Sequence, residues 1–415
     1  MPAVSTKARP VLSLACFSQL LMGLTLHARR IDDLLRCPSA AAPISRGTHL
    51  ARLASGWREC VGCPHAVDLD GAAPTLRRRL ERRSHRERPD PFGGVAGADF
   101  TPDDAATLAA RFAATLPPRG SVVLARDERT THAPFVLAVA SALRNAGCDV
   151  LHLGEALEPA VRFAVRSTGA AGGVWLAAPD HPAGRVGFVP IGAGGRPLRD
   201  AERTAVANAE PRVDRLLGAE RSCGAKAEHE ASLWPAFRTL TALRISVASP
   251  SGAVRSRFER LFAALPDDLR TLALPFDSPS EGNGEALRES GGDIRLSVDS
   301  SSVRCRAYDG AGAPIPWAET ARTLAADSVR GVSKKPNVPT VAVAAEMADD
   351  LRLKIAAVGG RVVETTDDPA ALWSAVDEGS VLALGTDGFA AFATPRGPAA
   401  DAALALAALL RAYSG

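Results

Sequence analysis

The stretch Trp175-Leu-Ala-Ala-Pro-Asp-His-Pro-Ala-Gly-Arg-Val-Gly-Phe188 ends an apolar run and opens a loop before a second extended piece. Its meaning comes from what surrounds it. Upstream, Thr101-Pro-Asp-Asp opens a helix, with Thr101 as N-cap and Pro102 at the first helical position. Ser121–Ala125 reads as a strand, Ala133–Ala146 as a helix stopped by Gly147, and Asp149–Leu153 as a strand. Pro159–Ser167 is then a helix and Gly173–Ala178 a third strand, which places the quoted loop at that strand's carboxyl end. After it come Gly187–Ile191, a turn at Gly192-Ala-Gly-Gly195 and a helix near Leu198–Ala209.

The same order returns twice. Leu243–Ala248, Gly252–Ala264, Leu269–Leu274, Gly284–Glu289, Ile294–Val298, Val303–Tyr308 and Trp317–Ala326 form a second unit. Thr340–Ala344, Ala348–Ala357, Arg361–Glu364, Pro369–Val376, Val381–Leu384, Ala390–Ala393 and a helix at Pro398–Arg411 form a third. The expected fold is therefore α/β: three consecutive α/β/α domains with mixed sheets, at 91–211, 239–328 and 337–415, behind an irregular N-terminal extension at 1–90. Polar or Gly/Pro-rich linkers are expected near 210–238 and 328–338. Open α/β sheets bind ligands outside the carboxyl ends of their strands. That rule singles out Ala177–Pro182, Asp299–Arg304 and Gly385–Phe389, three loops able to share one cleft.

Composition sets the outer bounds. Apolar residues make up 46% of the 415 and charged residues 23%, the balance of a soluble globular chain of several domains. A net charge of +3 creates no overall field for nucleic acid or membrane. Seven cysteines over this length form no disulfide framework and fit a reducing cytoplasm. Val11–Leu26 is apolar but interrupted by Ser18 and Gln19, and too short to span a bilayer. It reads as an amphipathic helix or a misassigned start rather than an export signal. The basic run Arg77–Arg88 lacks interleaved aromatics and reads as a solvated helix before a linker.

Several strings, taken in order, resemble the α-D-phosphohexomutases, the phosphoglucomutase/phosphomannomutase superfamily. Ala125-Arg-Asp-Glu-Arg129 is similar to that family's Gly-Arg-Asp-x-Arg, and Gly154-Glu-Ala-Leu-Glu-Pro159 to its Gly-x-x-Pro-Thr-Pro. The loop quoted first resembles Thr-Ala-Ser-His-Asn-Pro, and Gly194-Gly-Arg-Pro-Leu198 the Asp-Gly-x-x-Leu turn. Phe92-Gly-Gly-Val-Ala-Gly97 resembles the opening Phe-Gly-Thr-Ser-Gly but lacks the arginine that follows. The resemblance covers residues 92–415 and implies phosphoryl transfer between sugar positions through a phosphoserine with Mg²⁺.

At the letters that carry this chemistry the sequence departs from the pattern. The serine position falls on Pro179, and the His and Asn positions fall on Asp180 and His181, the only groups of that loop left to accept a phosphoryl group. The family's Asn and Lys downstream become Val186 and Val189. Its Asp-Gly-Asp-x-Asp-Arg becomes Asp299-Ser-Ser-Ser-Val-Arg304, so Asp299 is a vestigial magnesium ligand whose partners are Ser301 and Val303. Arg126, Arg304 and Asp387 remain as candidate substrate-binding residues, Asp387 standing for the family's sugar-reading glutamate. The family's fourth domain is expected to be absent.

The resemblance thus implies a degenerate, catalytically inactive homologue with no catalytic residue and no cofactor, which binds a sugar phosphate or a protein partner through the inherited cleft. The alternatives are an active phosphohexomutase using Mg²⁺, and a scaffold acting through its Cys- and Arg-rich extension. In that extension Cys60 and Cys63, with Cys37 and His65 nearby, are a half-complete zinc signature.

Overall fold

The computed structural model describes residues 34–37, 40, 42–55, 60, 63, 65, 68–72, 91–179, 181, 184–237, 245–263, 271–275, 294–309, 311–332 and 337–414. The expected helix at Gly284–Glu289, the apolar run Val11–Leu26 and the basic run Arg77–Arg88 lie outside them. The chain divides into two compact units, Met1–Glu87 and Arg88–Gly415. The first, expected to be an irregular or helical extension, carries a helix, α1 (Arg46–Ser55), and a short antiparallel pair, β1 (Leu34–Leu35) with β2 (Ile44–Ser45). Leu53 and Leu69 bury against each other there, and Arg46 pairs with Asp68 at 2.9 Å.

The second unit holds three mixed sheets. The first runs β3-β7-β6-β4-β5-β8, made of β3 (Gly93–Val95), β4 (Ser121–Arg126), β5 (Asp149–Glu155), β6 (Gly172–Leu176), β7 (Arg185–Ile191) and β8 (Glu220–Ser222). Its helices are α2 (Pro102–Ala114), α3 (Ala133–Asn145), α4 (Glu158–Ser167) and α5 (Asp200–Asn208). The α2 start follows from its sequence: Thr101 Oγ1 accepts from Asp104 N–H at 3.2 Å while Asp104 accepts from Thr101 N–H at 2.9 Å. This reciprocal capping box satisfies two donors that the helix leaves open.

Alternation along β4 sorts the layers. Val122 and Leu124 join the core shared with Phe112 of α2 and Val139 of α3, while Val123 and Ala125 face Val161 and Val165 of α4. Helices therefore cover both faces, which is why β4 reads as unbroken apolar sequence. Trp175 and Phe188 are each 1% exposed, and burying a side chain of that size contributes about 2–3 kcal/mol.

The stretch 210–238 was expected to be a linker. Instead β8 extends the first sheet, pairing parallel to β5, and α6 (Ala225–Phe237) follows. The second sheet runs β10-β9-β11-β12, from β9 (Ile245–Ser249), β10 (Thr271–Pro275), β11 (Ile294–Val298) and β12 (Cys305–Tyr308), with helices α7 (Gly252–Ala263) and α8 (Trp317–Val332). The third runs β14-β13-β15-β16-β17, from β13 (Thr340–Ala344), β14 (Arg361–Thr365), β15 (Leu382–Leu384), β16 (Ala390–Thr394) and β17 (Gly397–Ala400). Its helices are α9 (Ala348–Ala357), α10 (Pro369–Asp377) and α11 (Ala402–Ser414). The long C-terminal helix thus starts four residues later than Pro398, because Gly397–Ala400 pairs with β16 instead. The second and third sheets share one apolar core, in which Leu296, Leu324, Val343 and Leu406 are all fully buried.

Candidate functional site

The loop after β6 is held by the Ala125–Arg129 string. Asp127 N–H donates to Leu176 O at 3.0 Å, and Asp127 Oδ1 accepts from Arg129 N–H at 3.0 Å. The Arg129 guanidinium donates to His181 O at 3.0 Å and Arg185 O at 3.3 Å, so it ties the middle of the loop to the start of β7. His132, fully buried, has Nδ1 2.6 Å from Asp127 Oδ1 and Nε2 3.2 Å from Arg185 O. Arg126 turns back on this bracket, donating to Asp127 O at 2.8 Å and lying 3.4 Å from Glu155. Pro179 is half-buried and His181 exposed, while Asp180 lies outside the described residues.

Glu128, between those two arginines, reaches across to the second sheet's first helix. Its carboxylate accepts from Ser251 Oγ at 2.9 Å, Gly252 N–H at 3.1 Å and Ala253 N–H at 2.5 Å. It caps α7 from another part of the chain, supplying the acceptor that orphan N–H groups at a helix start require.

The Asp299–Arg304 loop is closed on itself. Asp299 Oδ1 accepts from Val303 N–H at 2.9 Å and Arg304 N–H at 3.1 Å, and Oδ2 accepts from Ser301 Oγ at 2.6 Å. Val303 is 5% exposed and packs in the third sheet's core with Phe389 and Trp373. Magnesium prefers several anionic oxygens in near-octahedral array. One carboxylate already committed to its own loop, a hydroxyl donating to it and a buried valine do not fit that ion. Among the described residues no group of three or more His, Cys, Asp or Glu could hold a metal. In the N-terminal unit the described bond between the zinc candidates is Cys63 N–H to Cys60 O at 3.4 Å.

Two of the three loops meet. Arg304 Nε donates to Asp387 Oδ2 at 2.7 Å, and Arg304 forms a backbone bridge with Phe389. Burial alone lowers the Arg304 pKa, but the charges of Asp387, Asp299 and Glu158 outweigh it and raise the group above its ordinary value. Behind this pair lies a buried cluster that sequence reasoning missed. Arg257 of α7 donates to Ser302 Oγ at 2.8 Å and holds Asp401 with two bonds of 3.0 and 2.6 Å. His229 Nε2 of α6 is 3.2 Å from the same carboxylate. Burial pushes the Asp401 carboxyl up, yet Arg257 and His229 together hold it below its usual range. A signal was available: Arg257 interrupts the buried face Val254, Phe258 and Leu261 of α7, and a charge there requires a partner. The Cys305 thiol nearby is pushed up to about 12 by burial, with Asp299 and Asp401 adding to the effect.

Comparison with known proteins places this geometry. Residues 92–214 match the phosphoglucomutase/phosphomannomutase family, alpha/beta/alpha domain I. The phosphoglucosamine mutase of Saccharopolyspora erythraea is 29% identical over 250 residues, 54% of this chain and 56% of that protein. The family match thus covers the first α/β domain, and over about half its length the chain is similar to phosphoglucosamine mutases. The Thermobifida fusca phosphoglucosamine mutase is 29% identical over 304 residues, 66% of each chain, and the Escherichia coli K12 phosphomannomutase 27% over 248 residues, 53% of this chain and 54% of that one. The chain spans about half the length of the first curated relatives it matches. In fold it is similar to a Burkholderia thailandensis phosphoglucomutase/phosphomannomutase family protein, with TM-score 0.64 and 20% identity over 78% of this chain and 75% of that one. A putative phosphomannomutase from Thermus thermophilus gives TM-score 0.63 and 19% identity over 79% of this chain and 81% of that one. The likeness to these solved structures is one of fold; the chemistry of the loops is a separate matter.

Proposed function

We propose that this chain is a non-catalytic phosphohexomutase homologue that binds a sugar phosphate through its strand-end loops, with three domains of which the first runs past 211 to take in β8, the second runs past 328 to the end of α8, and the third is 337–415. One observation carries the reading: the carboxylate that would remain for a metal, Asp299, spends both oxygens on Val303, Arg304 and Ser301 of its own loop. Pro179 supports it, since proline carries no nucleophilic atom where the resemblance expects a phosphoserine. No helix among the described residues is long and apolar enough to cross a membrane, and the proposed setting is the cytoplasm.

The names of its relatives favour a second reading, an active mutase performing intramolecular phosphoryl transfer on a hexose or hexosamine phosphate. A coupled assay separates the two. Glucose, mannose and glucosamine 1-phosphates are offered with catalytic amounts of the matching bisphosphate and Mg²⁺, alongside a thermal-shift titration with the same sugars. The proposal expects no turnover and a rise in melting temperature with ligand, because a ligand that binds only the folded state stabilises it. Turnover refutes it; absence of both turnover and shift turns the reading toward a protein partner.

A further inference from the structure

Arg304 and Asp387 come from the carboxyl ends of different sheets, and their pairing has a direction. The arginine backbone is clamped: its N–H donates to Asp299 Oδ1 at 3.1 Å and its carbonyl accepts from Asp299 N–H at 3.1 Å. The carboxylate is held by its own loop, since Asp387 Oδ1 accepts from Phe389 N–H at 3.2 Å. Gly388 makes that turn with φ +90°, and a Cβ there would meet Cys305 O at 3.1 Å, so a side-chain-free residue aims Asp387 at the guanidinium. The loop is braced further by Trp317 Nε1, which donates to Gly385 O at 2.6 Å, and by Asp367, which accepts from Thr386 N–H at 3.0 Å.

Among the described residues, Nε carries the one hydrogen bond that the Arg304 guanidinium makes. The two terminal NH₂ groups keep the planar fork that suits a phosphate or carboxylate. The side chains are 40% and 52% exposed, so the pair can exchange with water and with a competing ion. Asp299 and Glu158 add negative charge around the same guanidinium, and Glu158 is itself bonded to Arg162.

We propose that Asp387 is a resident counter-ion that holds the Arg304 fork at low affinity, so that an oxyanion entering the cleft competes with this carboxylate. This rests on the cleft-binding reading above and names what limits it. The ligand class is a phosphate-bearing small molecule, and Asp387 acts as a specificity-determining residue rather than a catalytic one. Removing one negative charge next to a half-exposed anion site raises anion affinity by about tenfold.

Isothermal titration of the full chain with inorganic phosphate and with glucose 1-phosphate tests this. Asp387→Asn keeps the side-chain shape and the acceptor for Phe389 N–H while removing the charge. It is expected to bind both anions about tenfold more tightly than wild type, with a thermal melt confirming the fold. The gain is expected to vanish in Asp387→Asn/Arg304→Gln, which should match Arg304→Gln alone. Equal glucose 1-phosphate binding by wild type and Asp387→Asn overturns the inference and leaves the cleft reading standing. A gain that survives without Arg304, or no anion binding by either protein, also overturns it. Mutase turnover by wild type sinks the cleft reading whatever Asp387→Asn does.

Discussion

Replacing Arg257 by methionine removes the cation at the centre of the buried cluster while keeping most of the side-chain volume. Arg257 and Asp401 are 5% and 1% exposed, so water cannot replace the lost partner. Asp401 retains His229 Nε2 at 3.2 Å and Ala403 N–H at 2.9 Å, and Ser302 Oγ loses its donor. Breaking one side of a buried pair costs about 3–5 kcal/mol, which for a unit of this size lowers the melting temperature by about 4–7 °C. The pH dependence has a defined sign. In wild type the Asp401 value is depressed, so its stabilisation is complete above the unfolded carboxylate value of about 3.9 and is lost as pH falls through the folded one. Without Arg257 the burial effect dominates and raises the folded value, so the variant gains relative stability as the carboxyl protonates. Calorimetric melts of both proteins between pH 4 and pH 7 should therefore show the largest gap at pH 7. A deficit under about 1 kcal/mol at pH 7, or a gap that widens on acidification, refutes the reasoning.

Three further outcomes follow from the structure. Pro179→Ser restores a hydroxyl but no metal ligands, so turnover of glucose 1-phosphate should stay at the wild-type level; a gain in product formation would show that the Asp299 loop still serves catalysis. Cys305, 3% exposed with its thiol raised to about 12, should resist a thiol reagent at neutral pH in the native protein and react only on unfolding; mass spectrometry of the tryptic peptide reads this directly. Gly397→Ala should destabilise by about 1–3 kcal/mol in urea titrations, because its φ is +96° and a Cβ would push the Arg166 guanidinium off Arg396 O and Asp377; an unchanged midpoint contradicts that packing.

The repeat of strand, helix and strand was legible because buried parallel strands such as Val122–Ala125 leave unbroken apolar runs and the caps at Thr101 and Gly147 punctuate them. The strand Glu220–Ser222 was not, since an exposed edge strand of charged and polar residues has no hydrophobic period to betray it. Gly397–Ala400 hid inside an Ala-rich helical pattern that continues without a break into α11. At the site, the loop positions followed from strand ends, and Asp299, Arg304 and Asp387 do lie near one another. Arg126, a candidate substrate-binding residue, donates to Asp127 O and lies 3.4 Å from Glu155. Sequence spacing could not reveal that Glu128 caps α7 or that Arg257 joins Ser302 to Asp401, because these contacts span 123 to 125 and 45 to 144 positions.

The central claim, that the loop after β6 no longer carries a phosphoryl group, is tested most directly by incubating the full chain with isotopically labelled glucose 1,6-bisphosphate and Mg²⁺ and mapping any phosphopeptide. The account predicts no label on residues 177–184. A stable phosphoryl group on Asp180, His181 or any other residue of that loop contradicts it.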